Sequence, residues 1–249
     1  MSKAEDIKVF AYRGGREWAP ENTLAAFKNC LELGVDGIEL DVQRCASGEL
    51  IVIHDQDLGR TTNGVGLVGD ITYDEIHRLS AGQWFDIGFR EEKVPLLSQV
   101  LDMVAGKLLL NIEIKNAPMA YPDIEEELLA MLSDYNHNDK VVVSSFDHYV
   151  LQRLRKLNSD VQLAMLADAI LIDMPKYAVG LGVNYLHLCF GSCRAEIVEE
   201  AHQAGLKVTG WTANGRRAWL DAIKMGVDGI VTDDPAELMV LLGRAMRLD

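Results

Sequence analysis

The sequence predicts an α/β protein folded as one (β/α)8 barrel of the TIM type. Three observations lead there. Short apolar or alternating runs recur between helical patterns along nearly the whole chain, and strands that alternate with helices form a parallel sheet. Eight such βα units remain once one extra extended run, residues 50–54, is set aside. The length of 249 residues suits a single closed barrel, and no Gly-x-Gly-x-x-Gly follows the first strand, as an open dinucleotide-binding sheet would have it.

The first strand, residues 7–12, ends in Arg13-Gly14-Gly15, where glycine permits a tight turn. Pro20-Glu21-Asn22-Thr23 opens a helix, with Asn22 the expected N-cap, Leu24, Phe27 and Leu31 on one face, and Gly34 as its stop. Residues 37–42 form the next strand. Ala46-Ser47-Gly48 then turns the chain into the extra run, which ends abruptly in His54-Asp55. From Gln56 to about Lys93 the alternation lapses. Residues 61–66 read as loop, 73–79 as a short helix, and Trp84, Phe85 and Phe89 lie among glycines. This stretch is expected to cap one end of the barrel, with too few periodic apolar positions for a core of its own.

Alternation resumes with strands at 108–114, 141–145, 162–166, 185–189, 206–211 and 229–232. Helical patterns such as 123–133, 149–157, 196–204 and 217–225 lie between them. A final helix starts at Asp233-Asp234-Pro235, with Asp234 as its cap, and is expected to run from Ala236 to about Arg247. The whole chain, 1–249, is therefore expected to be one domain with a capping insertion at about 56–93.

The formal charge of −14, with no cluster of Lys or Arg, excludes nucleic acid and anionic membrane surfaces as expected partners. A small anionic substrate stays open if a metal and a few local cations override that field. No run approaches the roughly 18 apolar residues of a membrane span. The polar start, Met1 to Asp6, shows no signal-peptide pattern. Cys30, Cys45, Cys189 and Cys193 have neither zinc spacing nor a dense disulfide pattern, so reduced thiols in a cytoplasmic protein are expected. Nothing in the sequence indicates an oligomeric state.

Gly37-Ile38-Glu39-Leu40-Asp41-Val42 carries the strongest chemical signal. Its period of two turns Ile38, Leu40 and Val42 one way and Glu39 and Asp41 the other. Two carboxylates on one strand face repel unless a cation joins them, and a hard divalent ion takes oxygen ligands readily. The plain alternative is a solvated edge strand.

Barrel enzymes work at the C-terminal ends of their strands. There the sequence gathers Tyr12, Arg13, Glu39, Asp41, His54 and Asp55. Asn111, Glu113 and Lys115 share one strand face, and Ser144-Ser145-Phe146 and Trp211 end two further strands. A hydrophobic barrel has no need of three carboxylates, two cations and a histidine in one mouth. Singly each has a simpler reading. His54 can be a strand cap, Lys115 a surface pair with Glu113, Trp211 rim packing and His187 a polar barrel residue.

With these motifs the chain resembles the glycerophosphodiester phosphodiesterase family, in its cytoplasmic bacterial form. The resemblance spans Arg13-Gly14, Pro20-Glu21-Asn22-Thr23, Gly37 through Val42, Ile53-His54-Asp55, Glu113-Ile114-Lys115, Gly210-Trp211-Thr212, Gly226-Val227-Asp228-Gly229 and Thr232-Asp233. It implies metal-dependent hydrolysis of small glycerophosphodiesters to glycerol 3-phosphate and an alcohol. It further implies Glu39, Asp41 and Glu113 as ligands of one divalent metal ion, Mg2+ or Ca2+. Arg13 and Lys115 map to phosphate contacts, Phe146 and Trp211 to substrate-lining aromatics, and His54 to one of two acid–base histidines.

The family motif begins His-Arg-Gly, whereas this chain reads Tyr12-Arg13-Gly14. A phenol of pKa near 10 is a poor base at neutral pH unless its surroundings lower that value, though it can serve as a fixed donor. A weakened enzyme, a non-catalytic phosphodiester binder and a different metal-assisted barrel enzyme are thus the alternatives that release of glycerol 3-phosphate would separate.

Overall fold

The protein is described by a computed structural model covering residues 6–104, 106–135 and 140–244. The leader reading of Met1 to Asp6 falls almost wholly outside the described residues, as does the part of the final-helix reading beyond Arg244.

Nine strands form one sheet: β1 (Lys8–Ala11), β2 (Gly37–Arg44), β3 (Leu50–Val52), β4 (Leu109–Ile114), β5 (Val141–Ser145), β6 (Gln162–Ala167), β7 (Tyr185–Cys189), β8 (Lys207–Trp211) and β9 (Gly229–Thr232). All but β3 run parallel, and β1 pairs with both β2 and β9, which closes the (β/α)8 barrel. β2 is buried along nearly its whole length, as expected of a parallel strand covered on both faces. Ile38, Leu40 and Val42 share the main core with Phe27, Leu97 and Leu101 from the surrounding helices.

The helices are α1 (Leu24–Leu33), α2 (Tyr73–Ile76), α3 (Leu97–Val104), α4 (Ile124–Ser133), α5 (His148–Leu157), α6 (Met174–Leu181), α7 (Ala195–Gln203), α8 (Gly215–Met225) and α9 (Pro235–Leu241). Among the described residues, none is long and apolar enough to cross a membrane.

The closure is uneven. β1 pairs with β2 only through Phe10↔Gly37 and Ala11↔Ile38, and then turns away. The last residues of β2 pair instead with β3, antiparallel, through Val42↔Val52, Gln43↔Ile51 and Arg44↔Leu50. The ladder continues into Ile53, whose N–H donates to Asp41 O at 3.0 Å. That register sets Ile53 opposite Asp41 and brings His54, the next residue, to the barrel mouth.

Three readings of the sequence are corrected. Thr23, not Asn22, caps α1, since its hydroxyl accepts from Ala26 N–H at 3.3 Å. Asn22 has φ 58° and turns its side chain elsewhere. α2 ends at Ile76, where Leu79 N–H donates to Ile76 O in a tighter turn. α9 starts as expected, with Asp234 accepting from Glu237 N–H at 3.0 Å, but ends at Leu241. Beyond it Gly243, at φ 69°, donates its N–H to Val240 O and reverses the chain.

Within residues 56–93, Leu58, Val68, Ile76 and Ala81 form a second apolar cluster with Cys45, Ile51, Ile53 and Val94. The expectation of too few apolar positions counted only the insertion's own residues. Half of this small core comes from outside the insertion: Cys45 just after β2, Ile51 in β3, Ile53 just after it and Val94 beyond the insertion's end.

Candidate active site

The register of β2 and β4 sets Glu39 beside Asn111 and Asp41 beside Glu113. Inward alternation on both strands then brings Glu39, Asp41 and Glu113 together, all buried, with one oxygen from each within 4.8 Å of the others. Burial, then Asp41 and Glu113, pushes the Glu39 carboxyl well above its ordinary range. Burial and Asp41 likewise push Glu113 up to about 7, against the pull of Lys115. Asp41 Oδ1 has no hydrogen-bond partner among the described residues, while Oδ2 accepts from Asn22 Nδ2 at 2.9 Å and lies 3.1 Å from Arg13 Nε. Crowded, buried carboxylate oxygens with an unsatisfied lone pair fit a hard divalent cation.

At the end of β1 the chain enters a 3-10 turn over Tyr12–Gly14, with Arg13 in the left-handed region at φ 50°. Gly14 follows at φ 88°, where a Cβ would come within 2.6 Å of Ala26 Cβ. The turn can therefore sit tight against α1 only as glycine. It aims Arg13 inward. The Arg13 N–H donates to Glu39 Oε2 at 3.1 Å, its Nη1 to Glu21 Oε1 at 2.7 Å and its Nη2 to the Tyr12 hydroxyl. Its guanidinium also stacks 4.4 Å from the Tyr12 ring centre. Burial lifts the Tyr12 phenol far above its ordinary 10, and the opposing pull of Arg13 is the smaller effect. Tyr12 is a protonated phenol at neutral pH.

His54 Nδ1 lies 2.6 Å from Asp55 Oδ1, and its Nε2 lies 3.1 Å from Lys115 Nζ. A carboxylate can only accept, so Nδ1 carries the proton and Nε2 holds the lone pair. Burial lowers the His54 pKa below 6.5; Asp41 opposes this, while Arg13 and Lys115 reinforce it. Lys115 also donates to Glu113 Oε1 at 2.7 Å. Burial alone would lower its pKa, but Glu113 and Asp41 hold it above the ordinary value.

A cavity of about 150 Å³ opens at this mouth, lined by Tyr12, Glu39, His54, Asn111, Glu113, Lys115, Phe146, Leu166, His187, Trp211 and Val231. Phe146 and Trp211 meet edge to face at 5.5 Å and form its apolar wall. Trp211 Nε1 is tied to His187 O at 3.0 Å. Burial drives His187 down to about 3, so its ring is neutral. Seven of the nine candidate side chains line the cavity. The other two, Arg13 and Asp41, stand directly behind it, joined to each other and to Glu39 or Lys115.

Sequence reasoning missed three supporting groups. Glu21, read as part of a helix start, is a buried hub that pairs with Arg13, Arg16 and Arg60, and Arg60 and Arg13 hold its carboxyl down to about 2 against burial. Asn22, read as a cap, holds Asp41. Arg60, given no role within the capping insertion, reaches both Glu21 and Asp55. The run of consecutive polar residues Glu21-Asn22 was the available signal for the first two.

Comparison with known proteins gives a consistent result. Residues 13–237 match the Glycerophosphoryl diester phosphodiesterase family. The chain is 41% identical over 235 residues to a glycerophosphodiester phosphodiesterase of Caldanaerobacter subterraneus subsp. tengcongensis, covering 94% of this chain and 97% of the relative. It is similar to the crystal structure of a glycerophosphodiester phosphodiesterase from Agrobacterium tumefaciens, with a TM-score of 0.83, 30% identity and coverage of 94% and 99%. An Oleispira antarctica phosphodiesterase in complex with the product sn-glycerol-3-phosphate superposes with a TM-score of 0.86 at 27% identity, covering 95% and 96%.

Proposed function

Since the chain belongs to the glycerophosphodiester phosphodiesterase family and is thus a phosphodiester hydrolase, we propose that it cleaves small glycerophosphodiesters to glycerol 3-phosphate and an alcohol in a metal-dependent reaction. The observation that carries this reading is the meeting of Glu39, Asp41 and Glu113 beside Arg13 and the His54–Lys115 pair. Glu39, Asp41 and Glu113 would hold one divalent ion, Mg2+ or Ca2+. Such an ion, when bound, supplies Lewis-acid charge to a phosphate and lowers the pKa of an oxygen nucleophile.

The protein's own groups account for the rest. Lys115, on the cavity wall, offers N–H donors to the phosphate oxygens, and Arg13, directly behind it, adds positive charge that offsets theirs as it builds. His54, neutral and with its lone pair on Nε2, takes the proton from the attacking oxygen. Tyr12 faces the same cavity as a phenol and donates a hydrogen bond or proton to the departing alkoxide. Phe146 and Trp211 give the cavity an apolar wall against which the carbon skeleton of the substrate packs. Residues 56–93 cap this end of the barrel, and the unpaired thiols suit a reducing, cytoplasmic setting.

A binder without turnover draws no support from relatives that are themselves named phosphodiesterases. Incubation with a panel of glycerophosphodiesters and either Mg2+ or Ca2+, followed by enzymatic detection of glycerol 3-phosphate, tests the proposal. Release that a chelator abolishes is expected. No release from any diester with either ion would end it.

A further inference from the structure

Arg60 belongs to the insertion, yet its guanidinium reaches Asp55, the carboxylate that meets His54. Its backbone sits in a loop closed by Asp57↔Leu67 pairing and by Leu58 N–H to Gly66 O at 3.0 Å. The loop is pinned from within by the Thr62 hydroxyl on Leu58 O at 2.7 Å and by the fully buried Leu58 side chain. From this fixed base one edge of the guanidinium, Nε and Nη2, grips Asp55 Oδ2 at 2.6 Å and Oδ1 at 2.9 Å. The other edge, Nη1 and Nη2, grips Glu21 Oε2 at 3.0 Å and Oε1 at 2.7 Å. Asp55 Oδ1 is the same oxygen that His54 Nδ1 meets.

We infer that Arg60 is a positioning residue for the reaction: it clamps Asp55, and through Asp55 it fixes the ring orientation and tautomer of His54. The inference rests on the proposed role of His54 as proton acceptor. An Asp55 carboxylate free to rotate would offer either oxygen at varying angles, and the imidazole would follow it. Gripped on both oxygens, it holds one geometry, with the proton on Nδ1 and the lone pair of Nε2 turned to Lys115 Nζ, 3.1 Å away on the same cavity wall. A planar fork with five donors can hold two carboxylates at once, which a lysine ammonium cannot do in the same plane. The insertion thereby contributes to chemistry although the cavity lining contains none of its side chains.

The test is R60K in the wild-type and His54→Ala backgrounds, with steady-state kinetics on a glycerophosphodiester in the presence of Mg2+. In the wild-type background kcat should fall about 10–100-fold, the usual loss when the partner of an oriented histidine is removed, with KM unchanged within about twofold. In the His54→Ala background the same change should cost nothing further. Imidazole nitrogen NMR gives a readout independent of turnover: the Nδ1-protonated form should dominate in the wild type and become mixed in R60K. Wild-type kcat in R60K, an equal loss in both backgrounds, or an unchanged tautomer would each overturn the inference. Equal loss would instead mark Arg60 as acting through Glu21 and Arg13. Full turnover in His54→Ala alone would remove the reading of His54 itself, and that failure is recognised without touching Arg60. If R60K does not fold, R60Q supplies the same comparison.

Discussion

Tyr12 is the residue at which this chain departs from the motif it otherwise carries, and the structure gives the departure a physical meaning. Burial raises the phenol's pKa and Arg13 occupies its oxygen as a donor, so its remaining chemistry is to give a hydrogen. Tyr12→Phe should therefore lower kcat about 10–100-fold, the rate equivalent of roughly 1.5–3 kcal/mol for a hydrogen bond to a charged group. Unchanged steady-state kinetics would take the phenol out of the reaction. His54 carries the complementary expectation. A base must be unprotonated, and this imidazole's pKa lies below 6.5, so the acid limb of the kcat/KM profile should fall below that value. A limb centred above 6.5 would contradict the assignment. The residues proposed to act directly were legible because strand alternation and strand ends place them. Arg60 was not, since its ion pair with Glu21, 39 residues away, leaves no local pattern.

At the scale of elements, α1 shows how a local rule misleads when a site competes for the same residue. Asn and Thr are both good N-caps, and Asn22 comes first in the sequence. The chain instead spends Asn22 on Asp41 in a left-handed conformation that asparagine tolerates, and leaves capping to Thr23. Thr23→Ala should thus lower unfolding free energy by about 0.5–2 kcal/mol in a urea titration and leave kcat unaltered. A stability loss on that scale with a matching collapse of kcat would mean that the cap and the site are not separable. The insertion gives the opposite lesson. Its core could not be read from residues 56–93 alone because Ile51 in β3 and Ile53 just after it help complete it.

For the whole molecule, the barrel was evident from its repeated alternation, while its closure depends on a seam that no periodicity announces. The site places an electrostatic load on the barrel. Glu113 titrates near 7 in the fold against 4.5 in the unfolded chain, and Glu39 is shifted the same way. For an acid whose folded pKa is raised, the stability of the protonated form is complete below about 4.5 and is lost as pH rises through about 7. Divalent cations bind the ionised form, so Mg2+ or Ca2+ should raise Tm more at about pH 8 than at about pH 5. Equal stabilisation at both values, read by differential scanning fluorimetry, would show that the ion does not bind at these carboxylates. The seam has a consequence of its own. His54 follows a three-residue strand held on one edge by the end of β2 and on the other only by the Ile51↔Leu96 bridge and Val52 N–H to Pro95 O at 2.9 Å, whereas Glu39 and Asp41 sit within a longer strand paired continuously to β4. The proposed base and the proposed metal ligands therefore differ in local stability. Amide exchange should open the His54 strand well before the barrel, so that mild denaturant silences proton transfer while the carboxylate cage stays assembled and the loss reverses on dilution without refolding.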